Sequence, residues 1–594
     1  MSLRIAALIK QIPAFEELTL GPDGRLVRDG MDLEMSAYCR RAVAQAVALA
    51  VEHHGTVTVF TLGPPPAEDC LREAIAWGQD RDIEIDGVLI SDPAFAGSDT
   101  LATARALSAA LALGDPFDLV LVGRNSVDAD TGQVGPELAQ LLDLPFVTGA
   151  RHLTLTDRVL DIRAEYDDGW AQVRVGLPVI VSTAERLIEP CKVEPAGRTA
   201  VPADRIRRVS AADLGRGPWG AAASPTWVGE TRHIGSKRAA LRHADATVDE
   251  QVAIALSVLI ERRALDARQD DVLDRGDVLG VAPMEAPEIG VIVEPGRPQL
   301  TRELLGAARD LDASPVAIVT EVVDFDELGA WGADAIIRLD GLELANEEDT
   351  AAGVATWAAA LDPWAILAPS TAWGRDVAGR VAASLAAGLT GDAVELARDH
   401  DDLVAWKPAF GGQIVAAIRC TSRPQMATVR AGVLARKTPR LHTPPVTVLP
   451  VEARSRVEIL ARTRDDDLDA LAEAHAVIGV GQGIDPADYP SLEPLRLALG
   501  AELGATRKVT DLGWLPRARQ IGITGRTISP RLFVSIGASG KFNHLVGVRT
   551  AGTILAINQD PNALVFDAAD VGIIGDYREV LPKLTITLAR TLRG

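Results

Sequence analysis

Short apolar runs recur along the chain, and each of them ends in a small or polar turn. Helical periodicity over residues 42–53 and 67–77 follows the first of these runs. Strands that are apolar throughout are typical of parallel sheets covered by helices on both faces. The pattern therefore predicts an α/β fold, with ligand groups at the carboxyl ends of the strands. The predicted strands are 5–9, 57–62, 119–123, 532–536 and 553–557.

An internal repeat divides the chain. Residues 115–121 (DPFDLVL) match residues 362–368 (DPWAILA), and residues 146–149 (FVTG) match residues 388–391 (GLTG). A stretch rich in strand-forming residues follows each copy. Two similar α/β units in one chain are expected to pack as a pseudo-symmetric pair. The strand-rich stretches are 165–183 and 403–429.

Length and charge limit the class of protein. With 594 residues the chain is too long for one core, and about three to five domains are expected. Its net charge of −22 disfavours nucleic acid as a partner, because phosphates need a basic surface. No apolar run is long enough for a membrane helix. Since the first residues lead directly into a strand, we expect no signal peptide and no integral membrane protein.

Cysteine and histidine spacing gives no sign of a metal site. The four cysteines are far apart and contain no Cys-x-x-Cys pair. The nine histidines show no ligand spacing either. This pattern favours a reducing cytoplasm and predicts neither a metal nor a disulfide framework.

Four glycine-containing segments follow one another near the C-terminus. Gly537 and Gly540 let the backbone approach a ligand closely, and the helix expected next would offer free N–H groups to a phosphate. A single Gly-x-x-Gly more often only ends a strand, but four segments in one unit favour a nucleotide pocket. The segments are 520–527 (QIGITGRT), 535–544 (SIGASGKFNH), 556–561 (AINQDP) and 572–576 (GIIGD).

A second ligand loop is predicted at residues 124–136 (RNSVDADTGQVGP), between the strand 119–123 and a helix expected from Glu137. A polar loop between a strand and a helix is where parallel sheets bind ligands. Alternatively, Asp128 and Asp130 only cap the helix and form a turn. The residues themselves leave both interpretations open.

The C-terminal segments resemble the FAD-binding domain of the electron transfer flavoprotein α subunit, whose pattern is Q-V-G-Q-T-G-K-T, G-I-S-G-A-I-Q-H, A-I-N-x-D-P and G-I-V-x-D, in this order and spacing. Residues 370–376 (STAWGRD), 408–412 (PAFGG) and 423–430 (RPQMATVR) are similar to the first domain of the same subunit. The N-terminal half resembles the β subunit. The segments that carry this second likeness are 78–80 (GQD), 128–136, 177–184 (LPVIVSTA) and 224–226 (SPT).

The resemblance implies a fold of two pseudo-symmetric Rossmann-like parallel-sheet units plus a C-terminal FAD-binding α/β domain. It also implies that two subunits, usually separate chains, are fused here as a pseudo-heterodimer with the β half first. The expected parts are a β-like domain at 1–265, a linker at 266–286, an α-subunit N-terminal-like domain at 287–440, a linker at 441–455 and the FAD-binding domain at 456–594.

The resemblance assigns flavin-tuning roles to three residues. Arg507 matches the arginine that lies against the isoalloxazine ring, His544 the histidine at the flavin O2 edge, and Thr524 the threonine that faces N5. Outside the motif, an arginine is usually a solvated surface charge, a histidine is usually structural, and a threonine is usually an ordinary turn residue. The further FAD-binding residues implied are Thr506, Gln520, Gly522, Gly525, Ser539, Gly540, Asn558 and Asp576.

A second nucleotide, either AMP or a second FAD, is implied for the β half. The residues of this second site are Asp128, Asp130, Thr131, Gln133, Val134 and Gly135. The usual family members bind AMP there as a structural ligand, whereas electron-bifurcating members bind a second FAD there and oxidise NADH. The loop sequence leans towards the bifurcating branch, whereas residues 36–39 (SAYC) depart from both.

The expected function is that of an electron carrier, which takes electrons from a partner flavin dehydrogenase onto FAD and passes them to a quinone reductase or another acceptor. An electron-bifurcating NADH oxidoreductase and an adenine-nucleotide-binding protein without redox role are the alternatives. Arg205, Arg207 and Arg208 either dock an acidic partner or form a solvated surface.

Overall fold

The computed structural model describes most of the chain. The described residues are 2–13, 32–126, 128–167, 169–233, 238–266, 282–283, 285–342, 344–409, 414–437, 439–464, 470–471, 474–522 and 525–592.

The first unit is an α/β unit in which strands and helices alternate as the apolar runs predict. Its elements are β1 (Arg4–Ile9), β2 (Gln11–Pro13), β3 (Leu33–Met35), α1 (Ala37–His53), β4 (Thr56–Leu62), α2 (Glu68–Gln79), β5 (Ile85–Ile90), α3 (Thr100–Leu111), β6 (Leu119–Gly123), α4 (Val134–Leu142), β7 (Phe146–Thr156), β8 (Val159–Tyr166), β9 (Gly169–Gly176), β10 (Val179–Thr183), α5 (Pro195–Thr199), β11 (Ile206–Val209), β12 (Thr226–His233) and α6 (Val248–Glu261).

The second unit repeats this alternation. Its elements are β13 (Glu288–Ile292), α7 (Pro298–Asp310), β14 (Ser314–Val319), α8 (Phe325–Trp331), β15 (Ala335–Asp340), α9 (Glu347–Leu361), β16 (Ala365–Pro369), α10 (Ala372–Leu385), β17 (Leu389–Ala393), β18 (Glu395–Asp399), β19 (Asp402–Ala409), β20 (Ile414–Cys420), β21 (Gln425–Val429) and β22 (Val446–Pro450).

The third unit is smaller. Its elements are β23 (Val457–Arg464), β24 (Ala476–Val480), α11 (Glu493–Leu499), β25 (Glu502–Ala505), α12 (Arg507–Asp511), β26 (Leu532–Ile536), α13 (Phe542–Leu545), β27 (Thr553–Asn558), β28 (Val571–Ile574) and α14 (Tyr577–Thr591).

The first two units share one sheet topology. The order β5-β4-β1-β6-β10-β7 in the first unit corresponds strand by strand to β15-β14-β13-β16-β21-β17 in the second. All pairings in both series are parallel. The predicted α/β fold with two pseudo-symmetric Rossmann-like units is confirmed, and the repeated segments 115–121 and 362–368 lead into the equivalent strands β6 and β16.

Each of these two units receives a strand from elsewhere in the chain. The first unit's β12 pairs antiparallel with β20 of the second unit, and β23 pairs antiparallel with β9 of the first unit. Because both ladders consist of backbone hydrogen bonds, separating the units would leave two strand edges unpaired.

The third unit is built on a five-stranded sheet in the order β25-β24-β26-β27-β28, with all pairings parallel. Helix α6, which belongs to the first unit in sequence, packs on this sheet. Its side chains Val252, Leu256 and Leu259 are buried with the apolar residues of β24, β26 and β28. The first unit therefore contributes part of the core of the third.

Two segments differ from the local pattern. The helix expected from Glu137 begins three residues earlier, at Val134. Residues 446–450, inside the segment predicted as a linker, form β22 and pair in parallel with β15. Most of the other predicted linker, 267–281 and 284, lies outside the described residues.

Over the described ranges, no helix combines the length and the apolar character that crossing a membrane requires.

Candidate functional site

The sequence-predicted ligand residues of the third unit lie along one edge of its sheet. Gly537 follows β26, Asn558 ends β27, and Asp576 follows the end of β28 by two residues. Gly481, which the sequence did not single out, follows β24 at the same edge. Since these strands are parallel and adjacent, their carboxyl ends meet at the same edge, where open α/β sheets bind ligands.

The turn after β26 has no room for side chains at its glycines. A Cβ atom on Gly540 would lie 2.0 Å from the Val565 nitrogen, and Gly540 has a φ of +76°. A Cβ atom on Gly481 would lie 2.2 Å from the Gly537 carbonyl oxygen. Among the described residues, no hydrogen-bond partner is present for the backbone N–H groups of Ser539 and Gly540. Free N–H groups in a glycine turn suit the pyrophosphate of a dinucleotide.

His544 is buried with one ring nitrogen unused. Its Nδ1 lies 3.1 Å from the Ile521 carbonyl oxygen, and its Nε2 is buried without a partner among the described residues. A carbonyl can only accept, so Nδ1 carries the proton and Nε2 is the bare nitrogen of the neutral ring. Burial lowers the pKa of His544, although the bond to Ile521 opposes this effect. The free Nε2 of the neutral ring is therefore available to accept a hydrogen bond from a ligand, whereas donation to the flavin O2, which the resemblance implies, requires a protonated ring.

Asn558 and Asp576 hold backbone in place at the same edge. Asn558 donates from Nδ2 to the Ala538 carbonyl oxygen at 2.9 Å, which fixes the glycine turn. Asp576 accepts from the Arg578 N–H at 2.8 Å and so caps α14, while its carboxylate stays partly exposed. Ser539 is exposed beside them.

Arg507 lies at the border with the first unit. It opens α12 after the N-cap residue Thr506, and its side chain is 53% exposed. The guanidinium donates to Glu185 of the first unit at 3.0 Å and to Asp511 at 3.1 Å. Two carboxylates of the protein thus pair with Arg507, the residue that the resemblance places against the flavin ring.

The described residues 520–522 and 525–527 approach each other through backbone hydrogen bonds, close to the helix that Arg507 opens. Gly525 donates to the Gly522 carbonyl oxygen at 2.9 Å, and Gly522 donates to the Arg526 carbonyl oxygen at 3.0 Å. The Gln520 side chain is 1% exposed and accepts from the Thr510 hydroxyl at 2.8 Å. Thr524, expected to face the flavin N5, lies outside the described residues.

A large cavity lies where the three units meet, with a volume of about 830 Å³. Gln520 and Gly525 line it from the third unit, Asp128 and Asp130 from the first, and Arg375 from the second. Its described lining contains ten arginines but only six carboxylates. In a chain with a net charge of −22, such a positive cavity favours an anionic ligand.

The loop predicted as a second nucleotide site is held by salt bridges and by the second unit. Lys10 Nζ lies 2.8 Å from Asp128, and although burial raises the pKa of Asp128, this ammonium holds it below its usual value. Lys407 donates to the Ala129 carbonyl oxygen. Asp130 accepts from Asn125 and lies 4.0 Å from Arg375. The loop is therefore an interface element as well as a candidate ligand site.

The rest of this loop packs closely and leaves one donor unused. Gln133 is 1% exposed, and its Oε1 accepts from Thr100 at 3.0 Å, whereas its Nε2 has no partner among the described residues. Thr131 lies against Gly391, and Gly135 against the Phe146 ring. Val134 is the first residue of α4. The free amide nitrogen lies towards Gly391 of the second unit, and of the residues predicted for the second nucleotide site only Asp128 and Asp130 line the cavity.

Sequence reasoning missed Glu185 and Lys407. Glu185 follows the end of β10 by two residues, so the rule that ligand groups follow parallel strands points to it. No local signal identifies Lys407, because its role depends on a contact 278 positions away. Over the described ranges, no group of three His, Cys, Asp or Glu side chains is placed to hold a metal.

Comparison with known families identifies these units. A model described as the electron transfer flavoprotein domain matches residues 23–214 and again residues 291–454. A second model, the electron transfer flavoprotein FAD-binding domain, matches residues 470–549. The chain belongs to the electron transfer flavoprotein family. The turn at Gly537–Gly540 and His544 thus lie in a recognised FAD-binding domain, and their free donors and free Nε2 fit FAD.

Individual relatives support the same family. The electron transfer flavoprotein subunit alpha of Thermoanaerobacterium thermosaccharolyticum is 36% identical over 301 residues, which is 48% of this chain and 91% of the relative. Protein FixB of Rhizobium meliloti is 38% identical over 277 residues, 44% of this chain and 78% of the relative. Subunit LctC of a lactate dehydrogenase (NAD(+),ferredoxin) from Acetobacterium woodii is 34% identical over 302 residues, 48% of this chain and 72% of the relative. Each relative matches about half of this electron transfer flavoprotein.

Proposed function

We propose that this chain is an electron transfer flavoprotein in which a β-like half and an α-like half are fused. Two matches to one domain model and the shared strand order of the first two units support the fusion. The proposed parts are the β-like domain 1–265, the linker 266–286, the α-like domain 287–440, the connection 441–455 and the FAD-binding domain 456–594.

The proposed activity is electron carriage on FAD. The observation that carries it is the edge of the third sheet, where the free Nε2 of His544 lies beside the glycine turn of a family FAD-binding domain. FAD, when bound, supplies the redox chemistry, and the protein tunes its potential. The donor would be a flavin dehydrogenase and the acceptor a quinone reductase or another redox protein.

The residues of the chain would contribute binding and charge. Ser539 and Gly540 would bind the pyrophosphate through their N–H groups, while Asn558 and Asp576 would lie near the adenosine end. Gln520, Gly522 and Gly525 would form the flavin end of the site together with Thr524. Arg507 and Thr506 lie at the same end, where Arg507 would stabilise negative charge on the ring.

The loop 128–135 would hold AMP or a second FAD.

We favour a cytoplasmic location, since all four cysteines are free and buried and a reducing compartment keeps thiols in this state. Arg205 pairs with Glu84 at 3.6 Å, and Arg208 pairs with Glu68 at 2.5 Å. Because both arginines are paired within the chain, they support a structural surface more than a docking site for the partner.

A second candidate function is electron bifurcation with NADH. The observation that favours it is the shared cavity, because Asp128 and Asp130 of the second nucleotide loop line the same space as Gln520 and Gly525. Ligands at the two sites would then face each other. Rapid bleaching of the flavin absorbance by NADH supports this candidate, and absence of any reaction removes it.

The deciding experiment is to denature the purified protein and to quantify FAD and AMP per chain. One FAD with one AMP supports a simple electron carrier. Two FAD molecules without AMP support a redox-active β half. A colourless protein that cannot be reconstituted with FAD contradicts the redox proposals and supports a nucleotide-binding protein without redox role.

A further inference from the structure

Lys541 directly follows the glycine turn of the third sheet and is exposed. The backbone N–H groups of Ser539 and Gly540 lack a partner among the described residues, and the N–H of Lys541 lacks one as well. The Lys541 carbonyl oxygen accepts from the N–H groups of His544 at 3.0 Å and of Leu545 at 3.2 Å. Lys541 therefore connects the free N–H groups of the turn to the segment that carries the buried histidine.

The shape of the turn fixes the position from which the Lys541 side chain starts. Gly540 has a φ of +76°, and the Val565 backbone leaves no room for a Cβ atom on it. Asn558 holds the Ala538 carbonyl oxygen at 2.9 Å on the other side of the turn. The Cα atom of Lys541 is about 3.8 Å from that of Gly540, and a lysine carries its ammonium on a long flexible stem. The ammonium can therefore reach an anion that the turn binds.

The ammonium of Lys541 has no partner in the described part of the chain, neither in an ion pair nor in a hydrogen bond. Cations on α14, the helix that follows this edge of the sheet, are engaged. Arg578 lies 2.8 Å from Asp488, and Lys583 lies 2.7 Å from Asp249. Their charges are neutralised by the protein, whereas the charge of Lys541 remains available to a ligand.

Carboxylates are frequent in the turns of the same edge. Asp485, Asp560 and Asp576 follow the strands β24, β27 and β28. Each of them accepts a hydrogen bond from the backbone N–H two residues further on. Their negative charges oppose the binding of a phosphate, in a chain whose net charge is already −22. An unneutralised cation beside the free N–H groups offsets this repulsion.

We propose that Lys541 binds the pyrophosphate of FAD together with the free N–H groups of Ser539 and Gly540. This inference rests on the proposed function, since FAD is the ligand that this edge would hold. An ammonium on a phosphate oxygen forms a charge-assisted hydrogen bond. Lys541 thus contributes to the preference of the site for ligands that contain a pyrophosphate, such as FAD and ADP.

The test is a fluorescence titration of the full-length apoprotein with FAD, at low and at high ionic strength. The variants are Lys541→Gln, which removes the charge, and Lys541→Arg, which keeps it. Lys192→Gln is the matched control, because Lys192 of the first unit is also exposed and has no ion pair within the described ranges. Displacement of FAD by ADP is measured on each protein, since ADP contains the pyrophosphate without the flavin.

We expect Lys541→Gln to weaken FAD binding by about three- to ten-fold at low salt, because the contact is charge-assisted but exposed to water. ADP should lose affinity by a similar factor. Lys541→Arg should recover most of the loss, and Lys192→Gln should bind FAD as the unchanged protein does. Added salt should weaken FAD binding less in Lys541→Gln than in the unchanged protein, because salt screens the ion pair that this variant lacks.

Equal FAD affinity in Lys541→Gln and the Lys192 control overturns the proposal. An equal loss in Lys541→Gln and Lys541→Arg also overturns it, because charge would then not be the cause. So does a loss of FAD affinity without a loss of ADP affinity, which would place Lys541 at the flavin. All of these results leave the electron-carrier function in place, whereas an unchanged protein that cannot bind FAD contradicts both.

Discussion

Arg507 Nη1 lies 3.0 Å from Glu185 Oε1, although 322 positions separate the two residues in the sequence. Glu185 also accepts from Arg517 at 3.2 Å, and Arg186 pairs with Asp511 at 2.5 Å. These ion pairs connect the end of β10 in the first unit to α12 in the third. The arginine assigned to the flavin ring is thus also part of a contact between units.

Replacing Glu185 with Gln should loosen this contact. Two guanidinium groups lose their shared carboxylate, and because Arg507 is half exposed we expect a loss of about 1 kcal/mol or less. Hydrogen exchange of the amides in α12 should become several-fold faster. Added salt should change this exchange rate less in the variant than in the unchanged protein, because the variant lacks the ion pairs that salt screens.

Glu189→Gln is the control for this variant, since Glu189 is an exposed carboxylate close in sequence with no ion pair in the described part of the chain. Equal exchange rates in the Glu185 and Glu189 variants would show that the Arg507 contact does not hold the two units together.

Variants of His544 should separate its two ring nitrogens. Gln can place an amide where Nε2 lies, whereas Asn can reproduce only the bond from Nδ1 to the Ile521 carbonyl. If Nε2 faces FAD, His544→Gln should retain FAD better than His544→Asn, by about five- to ten-fold in affinity, the value of one hydrogen bond. Fluorescence titration of the apoprotein with FAD measures this difference. Better retention by the Asn variant would give His544 a purely structural role.

A methyl group on Gly540 should disrupt the glycine turn. Gly540→Ala introduces a Cβ atom 2.0 Å from the Val565 nitrogen at a φ of +76°, so both strain and a backbone clash result. Gly513→Ala has a similar φ of +72° with nothing within 4 Å and should show only the strain, about 1 kcal/mol. FAD content and melting temperature should fall clearly in the first variant and little in the second. Similar losses of FAD content and melting temperature in both variants would exclude a role for the close approach of Gly540 to Val565.

Glu137 should make stability depend on pH. Burial raises its pKa to about 8, and the nearby charge of Asp99 adds to this effect. Since the folded state binds the proton more tightly than the unfolded chain, the stabilisation is complete below about pH 4.5 and is lost as the pH rises through about 8.

Glu137→Gln keeps the shape of the neutral acid and removes the titration. Between pH 5.5 and 8.5 the stability of the variant should therefore fall less steeply than that of the unchanged protein, by up to about 1.4 kcal/mol per pH unit. Denaturation midpoints over this range measure the difference. Parallel pH profiles for the two proteins would contradict a proton on Glu137 in the folded state.

The strands, and the common edge at which the candidate ligand residues lie, followed from the sequence because burial leaves a local pattern. The predicted runs 119–123 and 532–536 coincide with β6 and β26, since both are buried on both faces and apolar throughout. The glycine turn and Asn558 could be placed at one edge because parallel strands end together. The repeat likewise predicted the shared topology of the first two units.

Only the tertiary structure decided which distant segments meet. The largely exposed strand β23 has no continuous apolar run, and it is a strand because it pairs with β9 of another unit. The partners of Arg507, and the cavity that gathers Asp128, Arg375 and Gln520, depend on contacts across hundreds of residues. Local periodicity encodes which face of an element is buried. The partner of an ion pair or of a strand edge depends instead on which residues of another unit pack next to it.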